Sequence, residues 1–219
     1  MNRRRIATRT ALVLVLLLSS MGLTSCAQSK IYAGSKKEST FFTLPNGWKK
    51  ISQNALNAKE AEANNGSGTG TEVLWQEAYS LTGKITPADV FSLRGTPEPV
   101  VLGRVRVLSA DEANSVSYNQ LRDIIVPITT WLNDPTSAPT TFALIDDQER
   151  VESNARGIRT VFNYTGKDGV AQVIDETALV SDDRMTIYLL IIRSPADQYQ
   201  KEKGVLDAIA ASFTVKGKP

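Results

Sequence analysis

Cysteine and histidine carry much of the nucleophilic and metal chemistry available near neutral pH, and these 219 residues hold one Cys, at position 26, and no His. Without imidazole there is no Ser-His-Asp triad, no imidazole base and no His ligand for a metal. A lone Cys forms no disulfide within its own chain. What remains is carboxylate chemistry, a Ser-Lys pair, or the binding of a hard cation by oxygen ligands. Three acidic doublets bring carboxylates together: Asp146-Asp147, Asp175-Glu176 and Asp182-Asp183. Two carboxylates flanking one bond are the apparatus of a glycoside hydrolase. Neighbours along a strand point to opposite faces, however, so each doublet offers one acid per side. Asp182-Asp183 also stands where a hairpin needs turn formers, and none of the three has the spaced ligands of a calcium loop. No catalytic residue, metal site or cofactor is therefore expected.

The residues ahead of Cys26 explain its chemistry. Arg3, Arg4, Arg5 and Arg9 form a basic head, Ala11 to Leu18 an apolar run, and small residues follow before the Cys, which are the three parts of a signal peptide. A bilayer span needs about 20 apolar residues, and Ser19 and Ser20 end this run too early. Leu23-Thr24-Ser25-Cys26 resembles the lipobox of bacterial lipoprotein signals. That resemblance implies diacylglycerol transfer to the Cys26 sulfur and cleavage between Ser25 and Cys26, with the thiol acting as the nucleophile that becomes a thioether. More than one acyl chain makes such an anchor stable. Arg3 and Arg4 raise twin-arginine export, although Asn2, Ile6 and Ala7 fit that pattern poorly, and an ordinary basic head is preferred. Ala27 after the Cys favours the outer membrane in a diderm cell, and in a monoderm cell the outer face of the plasma membrane is expected.

Subtracting that segment changes the charge. The chain as a whole has 25 basic and 23 acidic side chains; losing the four arginines leaves 21 against 23, a net of −2. Counterion release from a polyanion is then a poor basis for binding, and nucleic acid is not an expected partner. With 42% hydrophobic and 22% charged residues the remainder is of ordinary globular composition.

From Cys26 to Thr40 small, polar and basic residues read as a flexible tether, with Lys30, Lys36 and Lys37 as solvated linker charges rather than lipid contacts. One folded domain is expected over 41–215. It opens with a strand, Phe41 to Leu44, stopped by the turn formers Pro45-Asn46-Gly47, and a second extended piece starts at Trp48. Ala55 to Ala63 has helical composition. Asn64 to Gly70 reads as a surface loop lacking the Lys-Ser/Thr or G-x-G-x-x-G of a phosphate cradle. Val73 to Leu81 alternates as a strand, with Glu77 on its apolar side. Thr86-Pro87-Ala88-Asp89 opens a short helix. In a strand from Val100 to Leu108, Arg104 and Arg106 lie opposite the valines and read as a solvated face.

Ser109 and Glu112 form a capping-box pattern, after which Leu121, Ile124, Ile125, Ile128, Trp131 and Leu132 recur at helical spacing. This predicts one long amphipathic helix bent at Pro127. A bend there could open a ligand groove at Pro127, Ile128 and Trp131, while a kinked core helix is the simpler reading. Four strands follow as an antiparallel meander: Phe142 to Val151, Gly157 to Tyr164, Val170 to Val180 and Met185 to Ile192. The last is apolar at nearly every position, which predicts a central strand covered on both faces. Ser194-Pro195-Ala196-Asp197 then starts a closing helix.

The motif Phe42-Thr43-Leu44-Pro45-Asn46-Gly47-Trp48, the late strand Tyr188-Leu189-Leu190, and the ending Ile209-Ala210-Ala211-Ser212-Phe213 resemble the PsbP-like α/β sandwich superfamily, which includes mycobacterial LpqN-type lipoproteins. The resemblance implies an α+β fold, an antiparallel β-sheet flanked by helices. In that superfamily the Pro-Gly-Trp turn packs a corner and is not catalytic, and members bind diverse proteins or small ligands, so no function is transferred with the fold. The expected function is that of a non-enzymatic, membrane-anchored binding module of the cell envelope, with a protein, glycan or lipid partner. Carriage of a lipid or apolar ligand is the alternative, and a carboxylate-dependent envelope hydrolase is the second.

Overall fold

Residues 29–64 and 72–216 are described by the structure, a computed structural model. The chain begins with a hairpin, β1 (Lys30–Ser35) and β2 (Thr40–Pro45), followed by β3 (Lys49–Lys50) and helix α1 (Gln53–Asn64). Strand β4 (Val73–Ser80) leads to α2 (Pro87–Phe91), where Thr86 and Asp89 exchange the two hydrogen bonds of a capping box, and then to β5 (Val100–Val107). Three short helices follow: α3 (Ala110–Ser115), α4 (Tyr118–Arg122) and α5 (Ile128–Asn133). The meander β6 (Ala143–Val151), β7 (Ala155–Thr165), β8 (Ala171–Ser181) and β9 (Thr186–Pro195) precedes α6 (Ala196–Ser212) and β10 (Thr214–Val215). No helix among the described residues is long and apolar enough to cross a membrane.

Seven strands form one antiparallel sheet in the order β3-β4-β5-β9-β8-β7-β6, and β1, β2 and β10 form a second. This is the expected α+β class, with antiparallel sheets and flanking helices. β9 is the middle strand of the seven, as its unbroken apolar run requires. Its alternate residues Tyr188, Leu190 and Ile192 face one core while Ile187 and Leu189 face another. The first core is continuous. It joins the large sheet to α6 through Tyr199, Leu206 and Ile209, and to the small sheet through Phe42 and Leu44. Phe42 packs edge-on against Trp75 and Tyr79, with ring centroids 6.4 and 6.2 Å away. Gly103 makes that approach possible, since a Cβ there would lie 2.6 Å from the Phe42 ring and 2.8 Å from Trp75.

The opposite face of the large sheet is covered piecemeal by α1 to α5, giving three smaller clusters. Leu56 and Val90 cap one beside β4 and β5, Leu121 caps the second over β7 to β9, and Ile128 with Trp131 caps the third over Phe162 and Ile174.

Four local expectations change. Lys30–Ser35, expected within a tether, is a strand because Ile31 and Ala33 alternate inward onto the first core and the backbone pairs with β2 along its whole length. The expected long helix, which the Ser109 capping box would start, is broken into α3, α4 and α5. The ring of Pro127 disfavours helical backbone at Val126, and Pro127 becomes the first flanking residue of α5 instead of a kink inside a helix. The carboxylate of Asp123 accepts from the Thr129 amide at 2.7 Å and supplies the cap that Pro127 cannot. Arg104 and Arg106 do not form a solvated face: Glu60 of α1 pairs with Arg104 at 2.7 Å, and Glu112 of α3 pairs with Arg106. Finally, α6 starts without a side-chain cap, because the Ser194 hydroxyl is buried and donates to the Pro195 carbonyl.

Candidate binding site

Two clefts lie side by side where α3 gives way to α4. Ser109 starts α3 by accepting from the Glu112 amide, while the Glu112 carboxylate accepts from the Ser109 amide at 2.9 Å. The same carboxylate receives both terminal nitrogens of Arg106, at 3.0 and 2.9 Å. Hydrogen bonding from Arg106 is the main reason its carboxyl is held below the usual range, and it stays charged. Val116 ends α3, and Ser117 caps α4 by accepting from the Gln120 amide. This arrangement places Val116 and the buried Leu121 as a shared wall.

On one side of that wall a cleft of about 280 Å³ is bounded by Arg106, Leu108, Glu112, Gln120, Ile124 and Ile187. On the other, a cleft of about 270 Å³ is bounded by Ser117, Tyr118, Arg156, Val180, Asp182 and Arg184. The β8-β9 hairpin shapes the second. Arg184 sits in its turn at a left-handed φ of 61° and donates to the Val116 carbonyl at 2.8 Å, locking the turn onto the helices. Arg156 projects exposed from β7 and has no ion pair among the described residues. The first cleft is therefore mainly apolar with a neutralised ion pair at its rim, and the second carries guanidinium groups. The hydroxyls present are engaged in structure: Ser115 donates to the Asp111 carbonyl at 2.8 Å, and Tyr118 donates to Glu149.

The acidic doublets do not act as pairs, since their carboxylates have separate surroundings. Asp147 takes both an Arg122 fork, at 3.2 and 2.8 Å, and the Thr160 hydroxyl. Asp146 accepts from the Asp147 amide. Asp183 accepts from Ser181 and from the Met185 amide, shaping the turn. Asp175 and Glu176 point to opposite faces, as strand geometry demands. Asp175 receives a bidentate Arg159 at 2.9 and 2.6 Å, and Arg159 also reaches Asp207 of α6 at 3.0 Å. Burial raises the Asp175 carboxyl in spite of that partner. Glu176 is 1% exposed, and neither of its oxygens has a hydrogen-bond partner. Burial, then the proximity of Asp123 and Asp175, pushes it well above the usual carboxylate range, a shift that favours the neutral acid. No group of three or more Asp, Glu, Cys or His side chains is placed to hold a metal among the described residues.

Of the residues singled out from sequence, Ser25 and Cys26 lie outside the described residues, as does most of the Asn64 to Gly70 loop. Pro127, Ile128 and Trp131 come together but as packing. The Trp131 ring meets Phe142 edge-on at 4.9 Å and stacks on Tyr164 at 6.4 Å, and Ile128 is fully buried. The clefts lie instead at Val116 and Leu121. Their lining comes from β5, α3, α4, β7 and the β8-β9 hairpin, strands included, and no local pattern links Arg106, Arg156 and Arg184.

No family model and no curated protein matches the chain. Solved structures similar to it include the cyanobacterial PsbP (CyanoP) of Synechocystis sp. PCC 6803, at 14% identity over 90% of this chain and 99% of that one, with a TM-score of 0.46. LpqN, involved in cell envelope biogenesis of Mycobacterium tuberculosis, is 10% identical over 86% of this chain and 91% of its own, with a TM-score of 0.48. The Ran-binding protein Mog1p of Saccharomyces cerevisiae is 10% identical over 86% and 96%, with a TM-score of 0.43.

Proposed function

We propose that this chain is a lipid-anchored protein of the cell envelope, attached through Cys26, whose domain is a non-enzymatic module that binds a polypeptide partner across the two clefts at Val116 and Leu121. The observation that carries the reading is the pair of clefts themselves. Each is slightly below the roughly 300 Å³ at which small-molecule sites usually begin, and they share a wall, which suits successive side chains of an extended partner better than one enclosed ligand. An apolar cargo would need room between sheet and helices, where Trp131, Phe142, Phe162 and Ile174 are packed together. Hydrolysis by a carboxylate pair would need two acids facing one bond, whereas Asp147 and Asp175 are engaged by arginines and Glu176 is sealed in the core.

A photoreactive side chain placed at Tyr118, at the mouth of the second cleft, tests the binding surface in membranes of the source cell. A discrete polypeptide adduct is expected from position 118, and none from the exposed Leu132 of α5, which lines neither cleft. Equal labelling from both positions would overturn the site. Cys26→Ser tests the anchor separately: it should abolish acylation and membrane retention, and a variant still processed and retained at the usual level would end that part of the proposal.

A further inference from the structure

If Cys26 carries the lipid, the strand β1 has a consequence for how the domain stands on the membrane. Strand β1 begins at Lys30, so only residues 27–29 separate it from Cys26 along the chain. Fully extended, four residue steps reach about 14 Å, less than half the thickness of a bilayer. One end of the domain must then lie close to the lipid surface. That end is identified by the contacts at the start of β1. The Asn46 amide donates to the Ser29 carbonyl at 2.9 Å, bringing the β2-β3 turn beside the first described residue. Lys49 follows that turn, pairs with Ser80, and lays its side chain against Gly83, where a Cβ would come within 3.3 Å of it. The loop after β4 is held in turn by the buried Glu98, whose carboxylate accepts from the Thr82 and Lys84 amides at 2.8 and 2.7 Å. Three connections thus converge, and each carries an exposed lysine: Lys30, Lys49 and Lys84.

None of these three lysines has an ion pair among the described residues. The nearby acids are spoken for, Glu98 by backbone amides and Glu77 by Lys50. Two residues along β1, on the same outward face as Lys30, stands Tyr32, which is 80% exposed. A tyrosine with its ring in solvent beside a group of lysines is the composition of a surface that rests at the headgroup level. Lys36 and Lys37 lie at the opposite end of the same six-residue strand, about 20 Å away, and Lys37 pairs with Glu38.

We propose that the end of the domain bearing Lys30, Lys49 and Lys84, with Tyr32 beside it, is a face that lies against an anionic lipid bilayer, and that the short leash from Cys26 selects it. The inference rests on the anchor proposed above. The clefts at Val116 and Leu121 are formed on the other side of the large sheet from the small one, so a domain seated this way keeps them open to a partner.

The test uses the processed, acylated chain in vesicles of phosphatidylcholine alone or with phosphatidylglycerol, with lysine acylation by a water-soluble reagent read by mass spectrometry. Labelling of Lys30, Lys49 and Lys84 should slow about fivefold or more on the phosphatidylglycerol vesicles, the factor that roughly 1 kcal/mol per surface lysine implies. Lys36 and Lys37 should label at the same rate on both. The triple variant Lys30→Ala, Lys49→Ala, Lys84→Ala should retain its acyl chain, and Lys36 and Lys37 should label on it as they do on the parent. Equal labelling of the two lysine sets, or protection of Lys36 and Lys37 instead, would overturn the face while leaving the anchor standing. Absence of an acylated Cys26 peptide in the same spectra would overturn the anchor itself.

Discussion

The two faces of the seven-stranded sheet are built on different plans. Toward α6 and the small sheet, one continuous core runs from Phe42 through Tyr188 to Leu206, and the Arg159–Asp175–Asp207 group ties the helix to the strands at its edge. Toward α1 to α5, three separate clusters are covered by helices that, α1 apart, are only five or six residues long, with an unpaired carboxyl, Glu176, sealed among them. A helix of 17 residues presents several turns of one apolar stripe to the sheet, whereas a single turn presents one or two side chains. Seams between such turns are where the clefts open. The continuous core lies on one face and the clefts proposed to bind a partner on the other, a division consistent with sites drawing on the less tightly built parts of a fold.

The largest expected effect is on the continuous face. Phe42→Ala removes a fully buried ring and its two aromatic neighbours' contacts, and should cost about 3–5 kcal/mol in urea unfolding. A loss below 1 kcal/mol would show that the small sheet is not part of the main core. Next comes Arg159→Met, expected to cost about 3 kcal/mol because Asp175 is left buried without its cation. Its carboxyl, already raised by burial, can protonate and so limits the loss. If the variant were as stable as the parent, the clamp would have no role in holding α6.

The smallest effect separates the faces by pH. The Glu176 carboxyl is raised in the folded state, so between the ordinary carboxylate range and its folded value the native protein holds a proton that the unfolded chain has released. Stability from this group is fully present at low pH and falls as pH rises, by at most about 1.4 kcal/mol per pH unit. Glu176→Gln should remove that slope and leave the variant relatively more stable toward neutral and alkaline pH. Parallel unfolding curves for the two proteins across pH 5 to 9 would show that Glu176 is not carried as the neutral acid.

Elements with a long, uninterrupted period were readable in the chain. β4 and β5 alternate, turn signals separate the strands of the meander, the capping boxes at Thr86 and Ser109 mark helix starts, and the apolar run of β9 foretold its central place. Elements whose form depends on a remote neighbour were not. β1 has only Ile31 and Ala33 as an inward pattern, and it is a strand because β2 offers it a paired edge. The apolar residues from Leu121 to Leu132 keep helical spacing across a break, since Ile124 and Val126 pack on the sheet from the connecting segment without being helical. Pro127 was the legible signal, and its effect was a boundary rather than a bend.

The candidate site was less legible still. By itself the sequence determined what depends on residue type and local order: the absence of His, the solitary Cys26 in its lipobox-like setting, the sign of the charge without the first 25 residues, and the periods of the long strands. Tertiary structure decided which charges meet. Arg159 and Asp207 lie 48 positions apart, Glu176 has no hydrogen-bond partner although acids and bases abound, and the clefts draw on strands and helices from β5 to β9. A period is written into neighbouring residues, while a contact between distant ones exists only once the chain has closed the loops between them.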